Sequence, residues 1–349
     1  MNIAILVTDL GLKKSYHATT RLARELTNRE HHVYFVTADD FSLQHDDKLW
    51  IHTRHIAPRN FRNNRTYLQY LVEEAPIEEV PVEQLDVLLL RDNPARYDEK
   101  RQWARQAVSL FSRMASDQGV LVLNDPDGLG LAQNKLYFQT LPASVRSHTL
   151  ITRKVSDVKR FAEELEGDLI LKPLQGSGGE GVFLVKKGSN YNFNQLLEAS
   201  LRGGYVIAQE YLPAAREGDV RLFLLNGKPL QVKGRYAAFR RRRQGEDIRS
   251  NMHAGGTVDA AEITPEILEL CTQIEPKLKS DGMFLCGLDI VGDKLMEVNV
   301  FCPGGLDSME RMQEVNFCAH ICKELEKKVE LARANGSFAN RELATLEIS

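Results

Sequence analysis

The stretch Gly287-Leu288-Asp289-Ile290-Val291-Gly292-Asp293-Lys294-Leu295-Met296-Glu297-Val298-Asn299 decides how the chain is read. Apolar and polar residues alternate in both halves, as in strands with one buried face, and Gly292-Asp293 signals a turn between them. The pattern predicts a β-hairpin. Its register carries the chemistry, because a slip of one residue exchanges the two faces. A three-residue loop, 292–294, sets Asp289 opposite Glu297. Leu288, Ile290, Met296 and Val298 then enter a core, while Asp289, Glu297 and Asn299 share the other face. A two-residue Gly292-Asp293 turn instead sends Asp289 to the opposite side. Two carboxylates and an amide on one pleated surface repel unless a cation lies between them, and hard oxygen ligands of this kind suit magnesium shared with nucleotide phosphates. The competing reading is the solvated outer face of an ordinary hairpin.

A second stretch is glycine-rich. Residues 169–173, ending in Lys172-Pro173, read as a strand; Gln175-Gly176-Ser177-Gly178-Gly179-Glu180-Gly181 follows, and 182–185 is again strand-like. Glycines let the backbone approach phosphate oxygens and aim N–H groups at them. Both standard phosphate motifs deliver such a loop into a helix, whereas this one runs into a strand, and no Gly-Lys-Ser/Thr is present. What remains is a hairpin flap closing over a nucleotide, with Lys172 in reach of a phosphate, against the alternative of a plain glycine-rich hairpin.

Working outward, 205–213 is an apolar strand leading to a bend at Pro213. In 218–228, Asp219 and Arg221 alternate with apolar residues and share one face, and Asn226-Gly227 is the strongest short hairpin signal in the chain. Arg235, the run Arg240 to Arg243, and Arg249-Ser250-Asn251 come next. A run of like charge is usually a solvated loop. That reading is taken for most of Arg240 to Arg243, whereas Arg235, Arg249 and Asn251 suit a cationic lid over a transferring phosphoryl group. Thr264-Pro265 starts a long helix. Cys318 and Cys322, on one side of the helix after Ser308, suit a core position better than redox chemistry.

The N-terminal part opens as an α/β unit: strands over 3–7 and 33–36 flank a helix carrying Ala18, Leu22, Ala23 and Leu26. The polar stretch 45–66 reads as irregular. Residues 85–90 form the next strand, then a helix near 100–118 and a strand over 120–123 complete the unit. Ligands of open parallel sheets bind beyond the carboxyl ends of the strands, so the loops after Val7 and Leu90 are candidate substrate loops. Asn124-Asp125-Pro126 breaks the chain.

Composition narrows the function classes. With 349 residues, 43% hydrophobic and 27% charged, the chain is globular with room for about two domains. The net charge of −3 gives no global reason to expect nucleic acid. Five cysteines without a C-x-x-C support neither a disulfide framework nor a zinc site, and they place the chain in the reducing cytoplasm. The apolar residues 1–7 read as a first strand, not a signal peptide, and no apolar run is long enough to span a membrane.

In this order, Asn134-Lys135, Ile170-Leu171-Lys172-Pro173-Leu174 with its glycine loop, Gln209-Glu210-Tyr211-Leu212-Pro213, Gly218-Asp219-x-Arg221, Arg249-x-Asn251-x-x-x-Gly255-Gly256 and the 287–299 hairpin resemble the motifs of ATP-grasp ligases. Among these the chain is most similar to the bacterial glutathione synthetase family, from the first strand to about residue 325.

The resemblance implies an α/β (α+β) fold. A Rossmann-like pre-ATP-grasp domain (1–124) would precede the ATP-grasp lid (125–206) and its antiparallel-sheet domain (207–330), leaving a polar tail at 331–349. It implies that Lys135, Lys172, Gly176, Ser177, Gly178 and Gly179 hold ATP phosphates. Gln209, Glu210, Tyr211 and Leu212, with Asp219, would complete the nucleotide site. Asp289, Glu297 and Asn299 would hold two magnesium ions, with manganese an alternative. Arg221, Arg235, Arg249 and Asn251 would bind the acyl-phosphate. Lys13, Lys14 and Arg91 would line the γ-glutamylcysteine side, and Pro303 and Gly304 the acceptor end. A homo-oligomer, dimer or tetramer, acting on small molecules with neither nucleic acid nor membrane is expected. One departure is Phe301-Cys302, where these synthetases carry small hydroxyl residues before the proline. It keeps a ligase for another γ-glutamyl or amino-acid pair in play, beside a nucleotide-binding module without turnover.

Overall fold

A computed structural model describes residues 1–11, 17–174, 181–188, 192–242, 257–336 and 338–348. Four strands of the first sheet run parallel in the order His32–Val36, Asn2–Leu6, Val87–Leu90, Leu121–Leu123. Their residues are almost wholly buried, as helices on both faces require. The sheet continues through Leu49–Ile56, antiparallel to His32–Val36. This strand corrects the reading of 45–66 as irregular. Leu49, Ile51 and Thr53 are buried while His52 is exposed, so a period of two was present beneath the polar composition.

The second sheet has four antiparallel strands in the order Phe183–Val185, Leu169–Pro173, Val206–Glu210, Thr149–Thr152. Helices Val155–Glu164 and Phe193–Leu201 supply its own small core, in which Val158, Leu197, Leu171 and Val206 are fully buried. The two strands flanking the glycine-rich segment pair as a hairpin; Gly176, Ser177, Gly178 and Gly179 lie outside the described residues.

In the third sheet, Asp219–Leu225 is central, between Ala238–Arg242 and Leu285–Val291, and Lys294–Asn299 completes the hairpin. At Asn226-Gly227 both φ angles are positive, +53° and +82°, as a two-residue hairpin turn of the favoured twist demands. The cores of the first and third sheets are continuous: Ala4, Leu88 and Val122 share a cluster with Val220, Leu222 and Leu288. Asn124 fastens the two sheets together. Its side chain receives the Leu285 N–H at 2.8 Å and donates to the carbonyls of Leu285 (3.1 Å) and Val300 (2.5 Å).

The chain beyond residue 330 folds back onto the body. Helix Phe317–Asn335 is followed by Asn340–Thr345, and the Asn340 amide pairs with Val122 N–H and C=O at 2.8 and 2.9 Å, covering the edge of the first sheet. Lys328, fully buried, donates to the carbonyls of Leu343 and Leu346 at the end of the last helix.

Candidate active site

The hairpin resolves its register in a way neither simple turn provides. Val291 pairs with Lys294 and Ile290 with Leu295, so the turn is the two-residue Gly292-Asp293, with φ of +60° at Gly292. Beyond it the register shifts, and Asp289 pairs with Glu297 and Gly287 with Asn299. Met296 is the extra residue of a β-bulge, and the bulge returns Glu297 and Asn299 to the face that carries Asp289. It also corrects the core expectation for Met296. Leu295 is buried, while Met296 lines a cavity.

That cavity, about 680 Å³, lies where the three sheets converge. Lys135, Lys172, Gln209, Glu210, Tyr211, Leu212, Asp219, Arg221, Asp289, Glu297 and Asn299, all expected site residues, line it. Cross-strand pairing puts the charged groups together: Arg221 lies opposite Asp289 and Asp219 opposite Arg241. Asp289 accepts from Arg221 through both oxygens, from Arg241 at 2.8 Å and from the Asn299 amide at 3.3 Å. Burial opposes its charge, but the two guanidiniums outweigh that and hold its carboxyl at about 2.

At the other end, Lys172 donates to Gln209 Oε1 at 2.8 Å from the neighbouring strand. Burial pushes the Lys172 amine down to about 8, helped by the charge of Lys135 and opposed by Glu297. Burial also lowers Lys135, against Glu297. Two desolvated ammonium groups beside one carboxylate form a cradle for a polyanion, because only an incoming anion restores what burial removed.

The donor set fits a hard divalent cation. Asp289, Glu297 and Asn299 offer two carboxylates and one carboxamide on a single wall. The Asn299 amide nitrogen is spent on Asp289 and on the Gly287 carbonyl at 3.5 Å, which leaves its oxygen as the acceptor. Asp289 is already engaged by Arg221 and Arg241, so a cation held there would compete with their guanidiniums.

Other expected residues are placed differently. Arg235 is exposed on a small hairpin turned at Lys233-Gly234 and does not line the cavity. Arg241, from the arginine run, does line it, held by Asp219 and Asp289 with its side chain 11% exposed, and this corrects the solvated reading of that part of the run. Its neighbour Arg242 is exposed, against Asp259. Arg91 is buried and does not line the cavity; it donates to Thr19 Oγ1 at 3.4 Å and to the Pro303 carbonyl at 3.2 Å. Gly304 accepts from Arg221 at 3.2 Å. Gly287 makes this crossing possible, since a Cβ there would meet Pro303 Cβ at 3.0 Å and Arg221 Cδ at 3.2 Å. Lys13, Lys14, Arg249 and Asn251 lie outside the described residues. The cavity also takes in Asn93, Pro94 and Ala95, from the loop after Leu90 singled out in the sequence, together with Arg105, Phe301 and Cys302. Cys318 and Cys322 are buried with thiols pushed well up by burial, so they stay protonated in the core.

This architecture and cavity are those of an ATP-grasp ligase. Solved structures of similar fold include D-cycloserine synthetase DcsG (TM-score 0.60, 14% identity, 94% of this chain and 99% of that one) and the ATP-grasp ligase PsnB complexed with a precursor variant, Mg and ADP (0.60, 17%, 93% and 98%). Residues 1–130 match the N-terminal domain of prokaryotic glutathione synthetase, and 134–314 its ATP-grasp domain. The glutathione synthetase of Agrobacterium fabrum is 32% identical over 94% of this chain and 97% of its own length; that of Brucella melitensis is 33% identical over 89% and 93%. The chain belongs to the prokaryotic glutathione synthetase family and is an ATP-dependent carbon–nitrogen ligase. Members of the family use ATP with a divalent metal. Among the described residues no helix is long and apolar enough to cross a membrane.

Proposed function

We propose that this ligase joins the cysteinyl carboxylate of γ-glutamylcysteine to the amine of glycine. ATP gives its γ-phosphoryl group to the carboxylate; the amine then attacks the acyl-phosphate, loses a proton and expels phosphate. The observation that carries the reading is one cavity holding the lysine pair Lys135 and Lys172 at one end and Arg221, Arg241, Asp289, Glu297 and Asn299 at the other. A carboxylate approaching a triphosphate is anion meeting anion, so positioning and neutralisation supply most of the acceleration.

Lys135 and Lys172 hold phosphate oxygens, and Gln209 fixes the Lys172 ammonium from behind. Glu210 to Leu212 border the base, with Met296 and Ile170 as apolar walls. Arg221 and Arg241, aligned by Asp289 and Asp219, would bind the acyl-phosphate oxygens. Asp289, Glu297 and Asn299 would hold two magnesium ions, or manganese, whose chemistry is to draw charge from the β- and γ-phosphate oxygens. Gly176 to Gly179, Arg249 and Asn251 would close over the phosphates, and Lys13, Lys14, Pro303 and Gly304 would bound the substrate end.

The three sheets support three units with a boundary near residue 124. The one proposed at 206 moves past Val206–Glu210, which pairs within the second sheet, and the one at 330 falls inside helix Phe317–Asn335. Five cysteines outside any disulfide support a reducing, cytoplasmic setting. A homo-oligomer, dimer or tetramer, completes the proposal. A second reading keeps the chemistry but changes the amine. Phe301 and Cys302 line the cavity where small hydroxyl residues were expected, which favours a different acceptor. Coupled measurement of ADP formation with ATP, magnesium, γ-glutamylcysteine and glycine decides. Turnover with glycine upholds the first reading, and turnover only with another amine upholds the second.

A further inference from the structure

Three arginines among the described residues line the cavity, and two of them are spoken for by carboxylates: Arg221 by Asp289, and Arg241 by Asp219 and Asp289. Arg105 is different. It stands on helix Trp103–Asp117 of the N-terminal α/β unit, half-buried, and its Nε donates to the Pro94 carbonyl at 2.9 Å. That single bond sets the plane of the guanidinium and leaves both terminal nitrogens for another acceptor. No ion pair to Arg105 occurs among the described residues, whose short-range pairs account for the other two cavity arginines. Arg105, Gln133 and Phe301 also line a small adjoining recess of about 20 Å³, so the guanidinium stands where the two spaces meet.

A guanidinium held at one edge with its two terminal N–H groups open is a fork suited to a carboxylate, and it gives shape selectivity that a lysine does not. The phosphate end already has its cations in Lys135 and Lys172, and the reacting carboxylate has Arg221 and Arg241. What lacks a partner is a carboxylate that takes no part in bond formation, the donor's α-carboxylate or glycine's, and the neighbouring Asn93, Pro94 and Ala95, from the loop after Leu90 that was singled out for substrate, point to the donor's. We infer that Arg105 is a specificity residue that binds the non-reacting α-carboxylate of the γ-glutamyl donor, on the wall formed with Asn93, Pro94 and Ala95. This rests on the donor proposed above. Arg105 touches neither transferred group, so it acts on donor affinity and leaves the chemical step alone.

The test compares the wild-type enzyme with Arg105→Met, which keeps length but removes charge, and Arg105→Lys, which keeps charge but loses the fork. Steady-state turnover is measured with each of ATP, dipeptide and glycine varied, alongside calorimetric binding of γ-glutamylcysteine. Repeating both with 4-aminobutyryl-cysteine, the donor lacking the α-carboxylate, completes the comparison. Loss of one charge-assisted bidentate contact predicts a rise of about tenfold or more in dipeptide KM and Kd for Arg105→Met. The rise should be smaller for Arg105→Lys, kcat and the KM values for ATP and glycine should stay within about twofold, and all three proteins should treat the decarboxylated donor alike. An unchanged dipeptide KM, a shift confined to ATP or glycine, or equal discrimination against the decarboxylated donor by wild type and variant overturns the assignment while leaving the ligase reading intact. A wild-type enzyme that neither binds nor consumes the dipeptide overturns both.

Discussion

Asp289 and Glu297 face each other across a hairpin whose two-residue turn, left to itself, would have put them on opposite sides. Met296 supplies the one-residue correction. The bulge separates two jobs that a regular ladder would set in conflict. Ile290, Leu295 and Leu288 keep their places in the core, and the three oxygen-bearing side chains keep theirs in the cavity.

Nucleotide binding should take up protons. Without phosphate the Lys172 amine titrates at about 8, mainly because burial disfavours its charge. A bound polyphosphate favours the charged form and raises that value, so the complex holds more proton than the free enzyme at pH 8. Calorimetry of ADP binding at pH 8 in buffers of different ionisation enthalpy should show a net uptake, and affinity should weaken as pH rises beyond 8. Replacing Lys172 by methionine should abolish the uptake; proton release on binding would contradict the assignment.

Arg241 should matter for turnover more than for nucleotide affinity. It bridges Asp219 and Asp289 from the neighbouring strand, next to Arg221. Arg241→Ala should lower kcat on the order of a hundredfold or more while shifting the KM for ATP only a few-fold. Arg241→Lys should rescue little, because one ammonium cannot span two carboxylates in the same plane. Arg242→Ala, which removes only an exposed pair with Asp259, should be close to wild type.

The seam between the first and third sheets depends on Asn124, which satisfies one N–H and two carbonyls in a buried setting. Asn124→Ala should destabilise the fold by about 3 kcal/mol, from buried polar groups left without partners. A lowered denaturant midpoint checks this. An unchanged midpoint would mean that packing, not this amide, holds the sheets together.

How much of this was legible in the sequence varies with the kind of signal. Alternation at Asp219 and Arg221, the Asn226-Gly227 turn, and Lys172 before a glycine-rich stretch are local, and each residue lies where its pattern implied. The strand Leu49–Ile56 escaped because its outward positions are Trp, His and Arg, so composition hid the period. Arg241 escaped for a non-local reason. Within an arginine run nothing marks one member, and only its position opposite Asp219 across the sheet separates it from Arg242. Arg105 had no signal, since its place depends on how its helix meets the loop of Pro94. The hairpin shows the limit most clearly, because both registers were conceivable from the sequence and the bulge combines the turn of one with the facing pair of the other.

The central claim is that the cluster of Asp289, Glu297 and Asn299 supports ATP consumption through a divalent cation. The most direct measurement is the rate of ADP formation by Glu297→Gln against wild type, with magnesium and the dipeptide and amine that the wild type accepts, on protein whose denaturant midpoint is unchanged. The account predicts a loss of at least about a thousandfold, only partly recovered by raising magnesium. A folded Glu297→Gln enzyme that forms ADP at close to the wild-type rate would contradict it.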